Sequence, residues 1–309
     1  MPIESASKNV RREGWVEVIL QSERLRELAR GLPQPMKRSV KQLLFRAYLR
    51  RRDVFLVGHP KSGNTWLAYM LGIILRAGDP GGQITVANIG DFVPGIHGDD
   101  LRILKYRSLP DPRVFRNEFP NHPNLYPRTV YMVRDPRSVL VSYYHHYRVT
   151  TDDTAMSLDA FVAKYLADGP ILTWEPGLVR WDAQVAEWTD PAREASVMVV
   201  TYEALHQDRR AVLERVTRFC RIPFAEAAVA AAVQRGSFQA MRSEEERVGA
   251  QAYLLDGGEA YREAKGRTGR FFRQGRTDGW EDELPASARK AIEREFRPVM
   301  EALGYSVRD

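Results

Sequence analysis

The sequence predicts an α/β fold, with a central parallel sheet flanked by helices on both faces. The prediction rests on three features of the chain. Short apolar, β-branched runs recur at Val54–Val57, Thr129–Val133 and Val197–Val200, the right length for buried strands and too short for helices. Each run leads through a polar segment into a helical pattern, and strands alternating with helices pack as a parallel sheet covered on both sides. The 309 residues, 44% of them hydrophobic, are enough for one large core, and neither a repeat nor a low-complexity linker divides them.

The elements follow in order. Residues 15–31 place Val16, Ile19, Leu20, Leu25 and Leu28 at partly helical spacing, and Pro33 and Pro35 end the pattern. A basic helix comes next, with Lys37, Arg38, Lys41, Arg46, Arg50, Arg51 and Arg52 set around Val40, Leu43, Leu44, Tyr48 and Leu49. Its first reading is a solvated charged face over an apolar seam; its second is weak contact with an anionic membrane surface. Residues 1–52 are thus expected to form a helical extension packed on the core, and residues 53–309 a single globular domain.

Val54–Val57 runs into Gly58-His59-Pro60-Lys61-Ser62-Gly63-Asn64-Thr65 and then a helix from Trp66 to Arg76. A strand, a glycine-bearing turn and a helix start make an anion cradle, because backbone N–H groups and the helix dipole face the ligand. After Thr129–Val133 come Arg134-Asp135-Pro136-Arg137-Ser138, with Asp135 as N-cap and Pro136 as first helical residue of a helix carrying Ser142. Residues 242–280 are polar and glycine-rich with little apolar periodicity, and read as a long lid loop. Ile292, Phe296, Met300 and Leu303 return to helical spacing within residues 285–303.

Composition narrows the function classes. The net charge of +6 favours anionic partners, but acidic residues are interspersed and no nucleic-acid-binding signature is present. No run reaches the roughly 20 apolar residues of a bilayer span, the N-terminal residues lack a signal peptide's apolar core, and Cys220 is the single cysteine. Together these predict a cytoplasmic protein. No His/Cys/Asp/Glu cluster has metal-ligand spacing.

Gly58–Thr65 matches the nucleoside-triphosphate loop G-x-x-x-x-G-K-[ST] except that Asn64 replaces the lysine, which instead sits earlier as Lys61. The fold is accordingly a P-loop-like three-layer sandwich. A Mg²⁺-dependent kinase is disfavoured, since no apolar strand ends in a convincing Mg²⁺-binding aspartate.

Pro60-Lys61-Ser62-Gly63-Asn64-Thr65-Trp66 resembles the phosphosulfate-binding loop of the cytosolic-type sulfotransferase family. Tyr131–Ser138, with Val141-Ser142-Tyr143-Tyr144-His145 behind it, resembles that family's 3′-phosphate segment. Weaker likenesses are Trp181–Val185 with Trp188, Val200–Leu205, Gly236–Met241, Phe272–Gly275 and Asp278-Gly279-Trp280. The resemblance implies a metal-free, in-line transfer of a sulfuryl group from 3′-phosphoadenosine 5′-phosphosulfate (PAPS) to a small-molecule hydroxyl or amine acceptor, phenolic or lipid-like, leaving 3′-phosphoadenosine 5′-phosphate (PAP). By it, Lys61 and the N–H groups of Ser62, Gly63, Asn64 and Thr65 hold the 5′-phosphosulfate. Arg134 and Ser142 hold the 3′-phosphate with Arg273, Gln274 and Gly275 above it, and Trp66, Tyr202 and Phe238 frame the adenine. No oligomeric state is implied.

The acceptor hydroxyl also needs a base unless it is already acidic. The resemblance places a histidine two residues after a strand-end lysine, a place assigned to Ile103–Ser108; there Lys105 is retained but Arg107 replaces the histidine, and arginine is no base near neutral pH. Three explanations stay open: His97 or, less favoured, His59 serves as base; the acceptor is acidic enough to need little help; or the protein binds nucleotide without transferring sulfate. Lys105 is expected to stabilise the transferring group.

Overall fold

The computed structural model describes the chain except residues 1–32, 78–83, 98–99, 121, 152, 154, 172–176, 224, 249–272 and 309. The helix expected at 15–31 lies outside the described residues. The chain divides into two compact units, Met1–Leu49 and Arg50–Asp309. In the first, the basic helix forms as α1 (Gln34–Tyr48). Arg50 belongs to the second unit because its N–H bonds the Asp53 carboxylate at 2.7 Å and its guanidinium bonds the Leu109 carbonyl at 2.9 Å.

The second unit is built on β1 (Val54–Gly58), β2 (Val114–Arg116), β3 (Thr129–Val133) and β4 (Val197–Thr201), all parallel in the order β2-β1-β3-β4. Three of these are the expected strands, extended by a residue at the ends of β1 and β4. The strand β2 was not foreseen, since its three residues lie between Arg113 and a polar stretch that follows. A buried ion pair holds its start, Arg113 donating to Asp53 at 2.8 and 2.6 Å.

Side chains alternate across the strands, as a pleat requires. Val54, Leu56, Val130, Met132 and Val200 share one core with α2 (Asn64–Leu75), which follows β1. On the opposite face Phe55 stacks on Tyr126 with centroids 3.7 Å apart, and Tyr131 stacks on Trp188 at 6.0 Å. That face is covered from the β3–β4 connection, which contains α3 (Pro136–Thr151), α4 (Leu158–Asp168) and α5 (Trp181–Trp188). After β4 come α6 (Tyr202–Gln207), α7 (Arg209–Cys220), α8 (Glu226–Arg235), α9 (Phe238–Val248), the short α10 (Trp280–Glu283) and α11 (Ala286–Ala302). Phe296 of α11 packs on Trp181.

The expected lid at 242–280 begins as helix, since α9 continues to Val248; residues 249–272 lie outside the described residues. Among the described residues no helix is long and apolar enough to cross a membrane. The chain leaves β1 toward β2 and leaves β3 toward β4, in opposite directions across the sheet. The carboxyl ends of β1 and β3 therefore flank a switch point, where open parallel sheets form their ligand crevices.

Candidate active site

The turn after β1 is held in an unusual backbone form, with Lys61 at φ 72° and Gly63 at φ 102°. A Cβ on Gly63 would lie 2.9 Å from the Tyr202 ring, so both conformation and space call for glycine. Gly63 is the N-cap of α2 and brings no capping side chain, which leaves the helix's first N–H groups for an anion. Ser62 Oγ is buried with no partner among the described residues. The Asn64 amide is shared between the carbonyls of Gly58 (3.0 Å) and His59 (3.4 Å) and the carboxylate of Glu118 (3.3 Å). Where a triphosphate loop carries its lysine, this chain carries an internal strut.

The turn after β3 meets the first one. Asp135 caps α3, accepting from the Arg137 N–H at 2.9 Å. The Arg137 guanidinium forks onto Asp135, reaches Glu293 at 2.6 Å and lies over the Trp280 ring. Arg134 donates to the Lys61 carbonyl at 3.3 Å and the Arg276 carbonyl at 2.9 Å, and lies 4.1 Å over the Tyr202 ring. Its Nε is buried without a partner among the described residues. Tyr202 also faces Trp66, centroids 5.3 Å apart, and the Trp66 indole N–H bonds the Gly236 carbonyl at 2.7 Å. Phe238 opens α9 with its ring against Gly275, whose carbonyl accepts from His206. Arg273 and Gln274 both donate to Glu283, which also pairs with His145. Ser142 is half-buried two turns into α3.

Lys105 and Arg107 are not at a strand end. Lys105 lies exposed in a 3-10 segment, Asp100–Tyr106, and Arg107 is exposed just beyond it. β2, which pairs with β1, ends at Arg116 and is followed by Asn117 and Glu118. The ladder continues past Arg116, with the Asn117 N–H on the Leu56 carbonyl at 2.9 Å.

The histidines separate by their contacts. His59 is fully buried, with Nδ1 3.0 Å from the Pro60 carbonyl and Nε2 2.9 Å from the Tyr165 hydroxyl. The Pro60 carbonyl can only accept, so the proton of the neutral ring sits on Nδ1 and Nε2 accepts from the Tyr165 hydroxyl, which itself accepts from the Trp181 N–H at 2.9 Å. Burial pushes this ring down to about 4, so it stays neutral inside the core. His97 Nδ1 accepts from the Glu118 N–H at 3.4 Å; dense packing with Arg116 and Arg102 nearby pushes it down to about 3. His146, on α3, is held well below its ordinary value by burial and by Lys61.

Glu118 gave no signal in the sequence, where a lone carboxylate in a short polar stretch resembles a surface residue. Its backbone is fixed on both sides, the N–H by His97 and the carbonyl by Gln184 Nε2 at 2.8 Å. Burial pushes its carboxyl up, against the opposing pull of Asn64, Arg116 and Lys61. Among the described residues no group of three or more His, Cys, Asp or Glu is placed to hold a metal ion.

The family described as the sulfotransferase domain matches residues 51–304. The chain belongs to the sulfotransferase family. Sulfotransferase 2B1 of Homo sapiens is 26% identical over 267 residues, covering 82% of this chain and 68% of that one. A 3-beta-hydroxysteroid sulfotransferase of Cavia porcellus is 30% identical over 179 residues, 54% of this sulfotransferase and 58% of the relative. Among solved structures, mouse sulfotransferase SULT7A1 complexed with PAP superposes with a TM-score of 0.59 at 21% identity, covering 82% of this chain and 86% of that one. Retinol dehydratase with androsterone and the inactive cofactor PAP gives 0.62 at 18% identity, covering 84% and 83%. At these identities the structures speak for a shared sulfotransferase fold.

Proposed function

We infer that the protein moves a sulfuryl group from PAPS to a hydroxyl or amine of a small, largely apolar acceptor, without a metal ion. The reading is supported above all by the convergence of two turns at the switch point: the Lys61–Thr65 turn, with the open N-terminus of α2, and Arg134 beside Tyr202. The first offers one anion a ring of N–H donors and an ammonium group. The second offers another anion a planar guanidinium, which suits bidentate contact with phosphate. The unpartnered Ser62 Oγ and Arg134 Nε fit a ligand with two separate anionic groups. Trp66, Tyr202 and Phe238 supply aromatic faces for a purine between them.

Sulfuryl transfer, like phosphoryl transfer, is governed by positioning and by stabilisation of charge on the leaving phosphate. Lys61 would meet that charge, with Arg273, Gln274 and Gly275 closing over the 3′-phosphate. The acceptor class draws support from relatives named for hydroxysteroid and amine substrates and from solved neighbours holding androsterone or retinol. Membrane-surface contact belongs to the same proposal: α1 exposes Met36, Val40 and Leu43 at helical spacing, with Lys41 and Arg46 also exposed. Calorimetry with PAP and ADP, and mass spectrometry of products from PAPS with a steroid alcohol, a phenol and an amine, test the reading. Equal affinity for PAP and ADP, or no sulfated product, would overturn it.

A further inference from the structure

We propose that Glu118 is the general base that takes the proton from the acceptor. The inference rests on the sulfotransferase reading and names the group that completes it. Glu118 follows β2 at the carboxyl edge of the sheet, beside the switch point where the Lys61 turn and Arg134 converge. Its main chain is clamped between His97 and Gln184, and its side chain is tethered by Asn64 of the phosphate turn. The carboxylate is thereby fixed to the same loop that would hold the transferring group, a geometry that serves proton removal at the attacking atom.

The histidines are worse placed. His59 is enclosed by Pro60 and Tyr165, and His145 is paired with Glu283. His97 uses Nδ1 on the Glu118 main chain. The charged and titratable groups facing Glu118 are Lys61 from the turn, Arg116 from β2 and His97 from the preceding loop, with His146 beyond Lys61. Burial works in opposite directions on acids and imidazoles here: it weakens His97 and His146 as bases and strengthens Glu118.

In the step, the acceptor oxygen forms its bond to sulfur while the bond from sulfur to the bridging phosphate oxygen breaks, its electron pair staying on the phosphate. The acceptor's proton passes to a Glu118 oxygen and from there to solvent after product leaves. Sulfated acceptor and PAP account for all the atoms.

Glu118→Gln keeps the size and the carbonyl that Asn64 contacts while removing the base. Turnover of PAPS is measured across pH with two acceptors, a phenol and a steroid alcohol, alongside calorimetry with PAP. The expected result is an unchanged PAP affinity and turnover lower by about 100-fold or more, with a greater loss on the alcohol than on the phenol. The acidic limb of the wild-type pH profile is lost, and Glu118→Asp recovers part of the rate. The variant should also be no less stable than wild type at neutral pH, because a carboxyl pushed up by burial opposes folding once ionised. Full activity with the acidic limb intact in Glu118→Gln would overturn the proposal. Failure of the wild-type protein to bind PAP would instead overturn the donor reading beneath it.

Discussion

Gly275→Ala isolates the contact between the C-terminal loop and Phe238. Gly275 has φ 65°, and a Cβ there would lie 2.1 Å from Phe238 Cδ2 and 2.6 Å from Cε2 and Cγ. That is more than an ångström inside ordinary carbon contact, roughly 3.5–4.0 Å, so the ring must move. Gly304 is the control, with φ 78° and nothing within 4 Å of the same atom. Gly304→Ala should therefore lose only the left-handed backbone term, about 1–2 kcal/mol. Gly275→Ala adds an overpacking term of about 1–3 kcal/mol, giving a total of about 2–5 kcal/mol. Urea unfolding of both variants gives the difference, and calorimetry with PAP shows whether the displaced ring belongs to the nucleotide site. A loss of about tenfold in PAP affinity, equivalent to about 1.4 kcal/mol, is expected for Gly275→Ala and none for Gly304→Ala. Equal stability of the two variants would refute the steric reasoning; a stability gap without an affinity change would remove Phe238 from the nucleotide site.

Lys61→Ala should lower kcat by about 100-fold or more, about 3 kcal/mol of lost stabilisation of leaving-group charge, and unchanged turnover at saturating PAPS would exclude that role. His59, held near 4 in the fold against about 6.5 unfolded, stabilises fully above the unfolded value, and that contribution fades as pH falls from 6.5 through 4. Its share is on the order of 3 kcal/mol, and His97 and His146 act in the same direction. Unfolding at pH 7 and pH 4.5 should show a steep loss in the wild type and a smaller one in His59→Gln; equal losses would mean His59 is not the titrating group. Arg113→Met leaves the Asp53 carboxylate buried without its guanidinium partner, and should cost about 3–5 kcal/mol in thermal or urea unfolding. A loss below 1 kcal/mol would show that the pair is not sequestered as its geometry indicates.

Most of the sheet was legible because β1, β3 and β4 are apolar runs bounded by turns, the strongest signal a buried strand gives. The Asp135 cap and the helix behind it were legible for a similar reason, since an acidic residue before Pro136 marks a helix start. β2 was not: three residues offer no periodicity, and what holds them is the ladder with β1 and the ion pair of the preceding Arg113 with Asp53, distant in the chain. Lys105, expected at a strand end, lies in a 3-10 segment instead, and Glu118, held through His97, Gln184 and Asn64, carried no local mark. Trp66 shows a middle case, because helical spacing cannot distinguish a core indole from one that bonds the Gly236 carbonyl beside Tyr202.

The register of the two central strands sets a ruler. Gly58 is paired with Met132, and a Cβ at Gly58 would lie 2.5 Å from the Met132 carbonyl and from Asn64 Oδ1. The turns bearing Lys61 and Arg134 thus spring from strands in close contact at a defined register. On the proposed reading, the span between the donor's two phosphates is measured by main-chain hydrogen bonds rather than by adjustable side chains. Surface loops at the acceptor end could then diverge freely while the donor, and nothing shorter, continues to bridge both turns.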